Sequence, residues 1–84
     1  MANNEKNRII TTIYGQEYTI VGSEPTDHLK KVAQIVDSKM HEIGAQNRAL
    51  DSGRLAVLTA VNMTHDYLLL LEKYRELEAR LENS

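Results

Sequence analysis

The chain contains no cysteine, tryptophan or phenylalanine, and only one proline and four glycines in 84 residues. Without cysteine there is neither a disulfide framework nor a thiolate zinc site to compensate for a small core. Nor is an oxidising compartment needed, which points to the cytosol. Four tyrosines are the only aromatics, too few for the stacking platforms that hold bases or sugars. So little glycine and proline excludes a loop-rich or disordered chain and favours a mostly helical, amphipathic one. Neither sign of charge dominates: ten Lys and Arg against twelve Asp and Glu leave a formal charge of −2, with no basic footprint for nucleic acid. The length admits a single domain and excludes two catalytic ones.

A long hydrophobic run is missing as well. Residues 1–8 are polar and lack the apolar stretch of a secretory signal. Ala56 to Leu71 is apolar but carries Asn62, His65 and Asp66. It is also shorter than the roughly 20 residues that cross a bilayer, so it reads as a buried helix, with no membrane partner expected.

Catalytic patterns are equally scarce. No two of His28, His41 and His65 stand three to five residues apart, and neither His-Glu-x-x-His nor Gly-x-x-x-x-Gly-Lys occurs. His65 and Asp66 are adjacent on a helix and point about 100° apart, so they form no catalytic pair. The expectation is a non-enzyme with no metal, no cofactor and no catalytic residue.

What the chain does contain is ordered. Residues 9–21 are rich in β-branched and aromatic types around Gly15-Gln16, which reads as a hairpin with a two-residue type II′ turn at that pair. This turn predicts Tyr14 opposite Glu17, Ile13 opposite Tyr18, Thr12 opposite Thr19 and Thr11 opposite Ile20. One face then collects Ile9, Ile13, Tyr18 and Ile20. A lone hairpin is marginal in water and offers open edges, so it must be covered by helices or paired with another chain.

A first helix is predicted over 25–43, opened by Pro25 in its first turn and Asp27 at the positive end of its dipole. Its apolar face is Leu29, Val32, Ala33, Val36, Met40 and Ile43, its polar face Lys30, Lys31, Gln34, Asp37 and Glu42, and Gly44 ends it. A loop over 44–51 follows. Asp51 is the expected N-cap of a second helix, with Leu50 and Leu55 as a hydrophobic staple.

That second helix runs without interruption to near the C-terminus. Ala56, Ala60, Met63, Tyr67, Leu70, Tyr74, Leu77 and Leu81 alternate spacings of four and three, an unbroken heptad seam. Val57, Leu58, Val61, Leu68, Leu69 and Leu71 add apolar faces to its first half only, whereas beyond Glu72 everything outside the seam is polar. The chain therefore divides into a globular dimerising head over 1–71 and a coiled-coil extension over 72–84. A single stripe on a protruding helix has no partner in its own chain, and a second copy is the economical one. Asn62 sits among the apolar residues, either on the exposed side or as a partner-facing, register-setting amide.

Three segments together resemble the ZapA family of bacterial cell-division proteins: Ile-Tyr-Gly-Gln-Glu-Tyr-Thr-Ile (13–20), Leu-Lys-Lys-Val-Ala-Gln-Ile-Val-Asp (29–37) and Arg-Leu-Ala-Val-Leu-Thr-Ala-Val-Asn-Met (54–63). The resemblance runs from Arg8 to about Arg80. It implies an α+β homodimer: an N-terminal hairpin, one amphipathic helix, then a long helix extending into a short coiled coil. The implied activity is binding filaments of the tubulin-like GTPase FtsZ and bundling them laterally in the Z-ring at mid-cell. The implied FtsZ contacts are Arg48, Asp51, Arg54 and Asn62. Gly53 departs from relatives that carry a charged residue at that loop edge. Longer relatives form antiparallel tetramers through the coiled coil. Here only about a heptad and a half follows Glu72, short of the three or four heptads of a free-standing coiled coil, so a dimer is expected and a tetramer stays open. The rival reading is a coiled-coil adaptor or regulatory subunit docking a different cytosolic protein.

Overall fold

The structure, a computed structural model, describes residues 6–84. The first residues of the expected head, and most of the polar segment 1–8, lie outside the described part. Strand β1 (Asn7–Ile13) and strand β2 (Gln16–Gly22) form an antiparallel hairpin, followed by helix α1 (Thr26–Gln46) and helix α2 (Ser52–Glu82).

The hairpin turn differs from the expectation by one residue. Ile13 pairs with Gln16, Thr11 with Tyr18 and Ile9 with Ile20, so the turn is Tyr14-Gly15 rather than Gly15-Gln16. Both turn residues have positive φ, 49° at Tyr14 and 81° at Gly15, the requirement of a type I′ turn, whose twist matches the flanking strands. Gly15 thus serves as the second turn residue, and Tyr14 adopts a conformation that only its tertiary contacts explain. Every cross-strand partner moves by two positions, which preserves the side-chain parity. Ile9, Ile13 and Ile20 therefore still share the face turned toward α1, with Ile9 buried, while Tyr18 on the same face stays exposed.

Helix α1 begins one residue later than predicted and ends three residues later. Pro25 is its N-cap, and the Pro25 carbonyl accepts from the N–H groups of His28 and Leu29. Gly44 does not end the helix but lies buried within it. A β-carbon there would stand 2.8 Å from the Tyr14 hydroxyl and 3.1 Å from Leu55 Cδ2, so this glycine serves close approach, not termination. The helix closes at Asn47, whose side chain donates to the Ile43 carbonyl at 2.8 Å and whose backbone N–H donates to that of Gly44. The connection shrinks to 47–51. Leu29, Ala33, Met40 and Ile43 are buried as expected, but Val32 is 44% exposed. Asp37, expected to point away, is partly buried and turned toward the hairpin tip.

Asp51 caps α2 by accepting from the Arg54 N–H at 2.8 Å, and Leu50 packs with Leu58 and Tyr14 against Met40, Ile43 and Leu55. This small cluster is where hairpin tip, α1 and α2 meet. Toward the other end of α1, Leu29, Ala33 and Ile9 complete the core, since β1 is the strand that lies on α1.

The chain is flat and open, with extents of 49 × 46 × 15 Å and a radius of gyration of 16.9 Å, against about 12 Å for a compact chain of this length. Thirty-one residues make α2 about 46 Å long at 1.5 Å per residue. The second extent is as large as that helix, so α1 and the hairpin run away from α2 instead of lying along it.

Candidate self-association and docking surfaces

Helix α2 meets its own chain along one stripe only. Leu55 and Thr59 are buried, Leu58 and Asn62 partly so, and Asp66 accepts an ion pair from Lys39 of α1 at 3.4 Å. The polar members of this stripe are satisfied within the helix: Thr59 Oγ1 donates to the Leu55 carbonyl at 2.8 Å and Asn62 Nδ2 to that of Leu58 at 2.9 Å. No buried side-chain polar atom lacks a partner among the described residues.

The heptad seam lies beside that stripe and is uncovered. Tyr67, Leu70, Tyr74, Leu77 and Leu81 are exposed, Leu70 by 67% and Leu81 by 69%, as are Ala56 and Ala60, and only Met63 is partly shielded. Tyr67, Leu70, Leu71 and Tyr74 line a shallow, wholly apolar groove. The first half of α2 was expected to be buried on several sides. Within one chain it is not, because Val57 and Val61 are 65% and 59% exposed and Leu68 and Leu69 are exposed too. α1 diverges, and the hairpin lies on α1 rather than on α2.

The residues implied as docking contacts fall into two groups. Arg48, Asp51 and Arg54 cluster at the connection end of the molecule. Arg48 Nε donates to the Ala45 carbonyl at 3.4 Å, and Arg54 Nε stands 3.9 Å from Asp51 Oδ2. Asn62 is about 12 Å further along α2, at 1.5 Å per residue, and sits on the α1 side of the helix.

Sequence reasoning missed two features. The first is the tie between Tyr14 and α1, for which no local signal exists. The second is that Val57, Val61, Thr64, Leu68 and Leu71 are themselves spaced four, three, four and three. This second heptad stripe is legible in the sequence once the first is set aside.

No helix among the described residues is long and apolar enough to cross a membrane. Nor, among the described residues, do three or more His, Cys, Asp or Glu side chains gather where a metal could be held.

An open hairpin-and-helix chain whose long helix exposes an apolar heptad seam has the form of a chain that associates through a helix. The profile of the cell division protein ZapA matches residues 9–84. The chain is 52% identical to a cell division protein ZapA of Geobacillus sp. (strain WCH70) over 81 residues, covering 96% of this chain and 93% of that one. It is 54% identical to the ZapA of Bacillus anthracis over 74 residues, covering 88% and 83%. A solved structure, a ZapA mutant dimer from Geobacillus stearothermophilus, matches with a TM-score of 0.74 at 46% identity, over 98% of this chain and 95% of that one. The chain belongs to the ZapA family of cell division proteins.

Proposed function

We propose that this is a non-enzymatic, cytoplasmic division protein that dimerises along the α2 seam and binds FtsZ filaments at mid-cell, promoting their lateral association and bundling in the Z-ring. The observation that carries the reading is the seam itself: apolar residues in heptad register over the length of α2, exposed in the single chain. Family membership supports the division role, and the dimeric solved relative supports self-association. In this reading residues 1–71 form the head and 72–84 extend the seam beyond it.

Bivalency is the mechanism. A two-fold dimer presents two identical docking sites, and on a repetitive polymer the second site binds at high effective concentration even when each alone is weak. Arg48, Asp51 and Arg54, at the connection end of each head, are the proposed contacts, with Asn62 further along the helix. The Arg54 side chain is 80% exposed, so its guanidinium is available to a carboxylate on a filament.

Co-sedimentation with FtsZ and GTP tests the reading: the chain should pellet with filaments and bundle them. No additional pelleting at equimolar protein sinks it, and a lysate pull-down that recovers another protein in place of FtsZ favours the adaptor alternative.

A further inference from the structure

Strand β2 presents an open edge. The two-residue loop makes Ile13 and Gln16 the hydrogen-bonded pair that closes the hairpin. Antiparallel pairs alternate between hydrogen-bonded and non-hydrogen-bonded, so Glu17, Thr19 and Val21, paired with Thr12, Ile10 and Arg8, are of the second kind. Their N–H and C=O groups point away from β1, along the free edge of β2, and all three residues are exposed.

Proteins guard such edges with charge, proline or a bulge. The edge of β1 is formed by Arg8, Ile10 and Thr12, so it carries a cation, and β1 is the strand that lies on α1. β2 has no such guard. From Gln16 to Gly22 it contains no Lys, Arg or Pro, its pairing with β1 runs without a bulge, and its single charge, Glu17, sits beside the turn. Tyr18 shows the same openness from the other side. It lies on the face turned toward α1 yet is 46% exposed, because β2 overhangs the helix that β1 covers.

The strand is also complementary to itself. Thr19 is the central residue of Gln16–Gly22, so a two-fold axis through Thr19 sets β2 antiparallel to a second β2 over its whole length. The outward-pointing residues then meet one another: Thr19 faces Thr19, and Glu17 faces Val21 of the second copy, with about six main-chain hydrogen bonds exchanged at two per pair. Glu17 meets a valine and not a second carboxylate, so no like charges are opposed. On the other face Tyr18 stands opposite Ile20 at both ends of the pairing, an aromatic on a β-branched side chain. Moving the axis to Tyr18 or Ile20 shortens the overlap.

We infer that β2 is a second self-association edge, which pairs antiparallel with the β2 of another copy about a two-fold at Thr19 and fuses two hairpins into one sheet. Because α1 carries the hairpin away from α2 in a flat body, this axis is separate from that of the α2 seam. A chain with two separate isologous interfaces alternates them, so seam dimers are joined into an open string. The edge uses no residue of the seam or of the proposed docking set, so its failure and theirs are read separately.

The cysteine-free chain allows disulfide trapping in the full-length protein. In a hydrogen-bonded antiparallel pair the facing Cα atoms stand about 5.5 Å apart, within disulfide reach. Thr19→Cys alone should therefore give a covalent two-chain species under mild oxidation with diamide. Ile10→Cys, on the same outer face but on β1 and 67% exposed in the native chain, should stay one-chain. Glu17→Cys and Val21→Cys should each stay one-chain singly and link when the two are mixed. Adding Leu70→Glu to Thr19→Cys should leave the link intact, since the edge does not need the seam. Absence of a link through Thr19→Cys overturns the inference and leaves the edge to an extended segment of another protein. An equal link through Ile10→Cys reports random collision and overturns it as well. A link through Glu17→Cys alone, or none in the mixture, rules out the two-fold at Thr19. A link lost with Leu70→Glu places the contact inside the seam dimer, which also overturns it.

Discussion

The backbone N–H of Tyr14 donates to Asp37 Oδ1 at 2.8 Å, tying the tip of the hairpin to the middle of α1. The Tyr14 ring lies 4.9 Å from that of His41, tilted by 59°. His41 Nδ1, 2.9 Å from the Asp37 carbonyl, must carry the proton that this acceptor receives. One carboxylate thus anchors a turn residue whose φ is positive, and the hairpin is held on its helix by a polar clasp as well as by Ile9 and Ile13.

Asp37→Ala should destabilise the fold by about 1–2 kcal/mol, because a partly buried N–H loses a charged acceptor. Asp37→Asn, which keeps an acceptor oxygen, should cost less. Urea denaturation gives both values, and amide exchange should show the Tyr14 N–H opening selectively in the alanine variant.

Gly44→Ala sets two effects against each other. Alanine gains about 1 kcal/mol as a helix residue, but its methyl group meets the Tyr14 hydroxyl and Leu55, and overpacking costs about 1–3 kcal/mol. The net expectation is destabilisation by about 1 kcal/mol. In a Tyr14→Phe background the nearest oxygen is gone, so the penalty should shrink; a double-mutant cycle by thermal denaturation measures the coupling.

Asp51 serves as a cap and is also a proposed docking contact, and two substitutions separate the roles. Asp51→Ala should lose about 1 kcal/mol of stability, while Asp51→Asn keeps the cap. If Asn retains stability but FtsZ co-sedimentation drops, the carboxylate charge contributes to docking; unchanged binding makes Asp51 a cap alone.

Salt offers a parallel check on Arg48 and Arg54. Contacts between exposed charges should weaken above about 0.15 M, where the Debye length falls below roughly 8 Å. Filament binding should decline over that range, and binding indifferent to salt would move the docking site toward the apolar surface of α2.

Leu70→Glu and Leu77→Glu should both weaken self-association, Leu70→Glu more, since at that level the helix carries apolar residues on several sides. Light scattering at micromolar concentration checks this: a wild-type mass retained by Leu70→Glu contradicts the seam.

Much of this architecture was legible in the residues. The β-branched run, the position of Asp51 before an uninterrupted helix, and the four-three spacing from Ala56 to Leu81 each reflect a local rule: strand propensity, capping or helical period. The misreadings share a different cause. Gly15 satisfies either a II′ or an I′ turn, and the choice falls to Tyr14, which adopts a positive φ because Asp37 and His41 hold it from 23 and 27 residues away. Gly44 has the local look of a helix stop, yet its missing side chain makes room for Tyr14 and Leu55. Of the implied contacts, Arg48, Asp51 and Arg54 gather because the connection and the first turn of α2 are contiguous, while Asn62 is turned toward α1 by helical phase.

The sequence by itself determined the element types, their order, the capped start of α2 and its heptad seam, because each depends on neighbours within a turn or two of chain. Only the tertiary structure decided the register of the hairpin, the close approach at Gly44 and the divergence of α1 from α2. These depend on which side chains meet across long separations. That divergence leaves the seam and its flanking stripe uncovered in a single chain, since the described residues form a flat body in which α1 and the hairpin run away from α2.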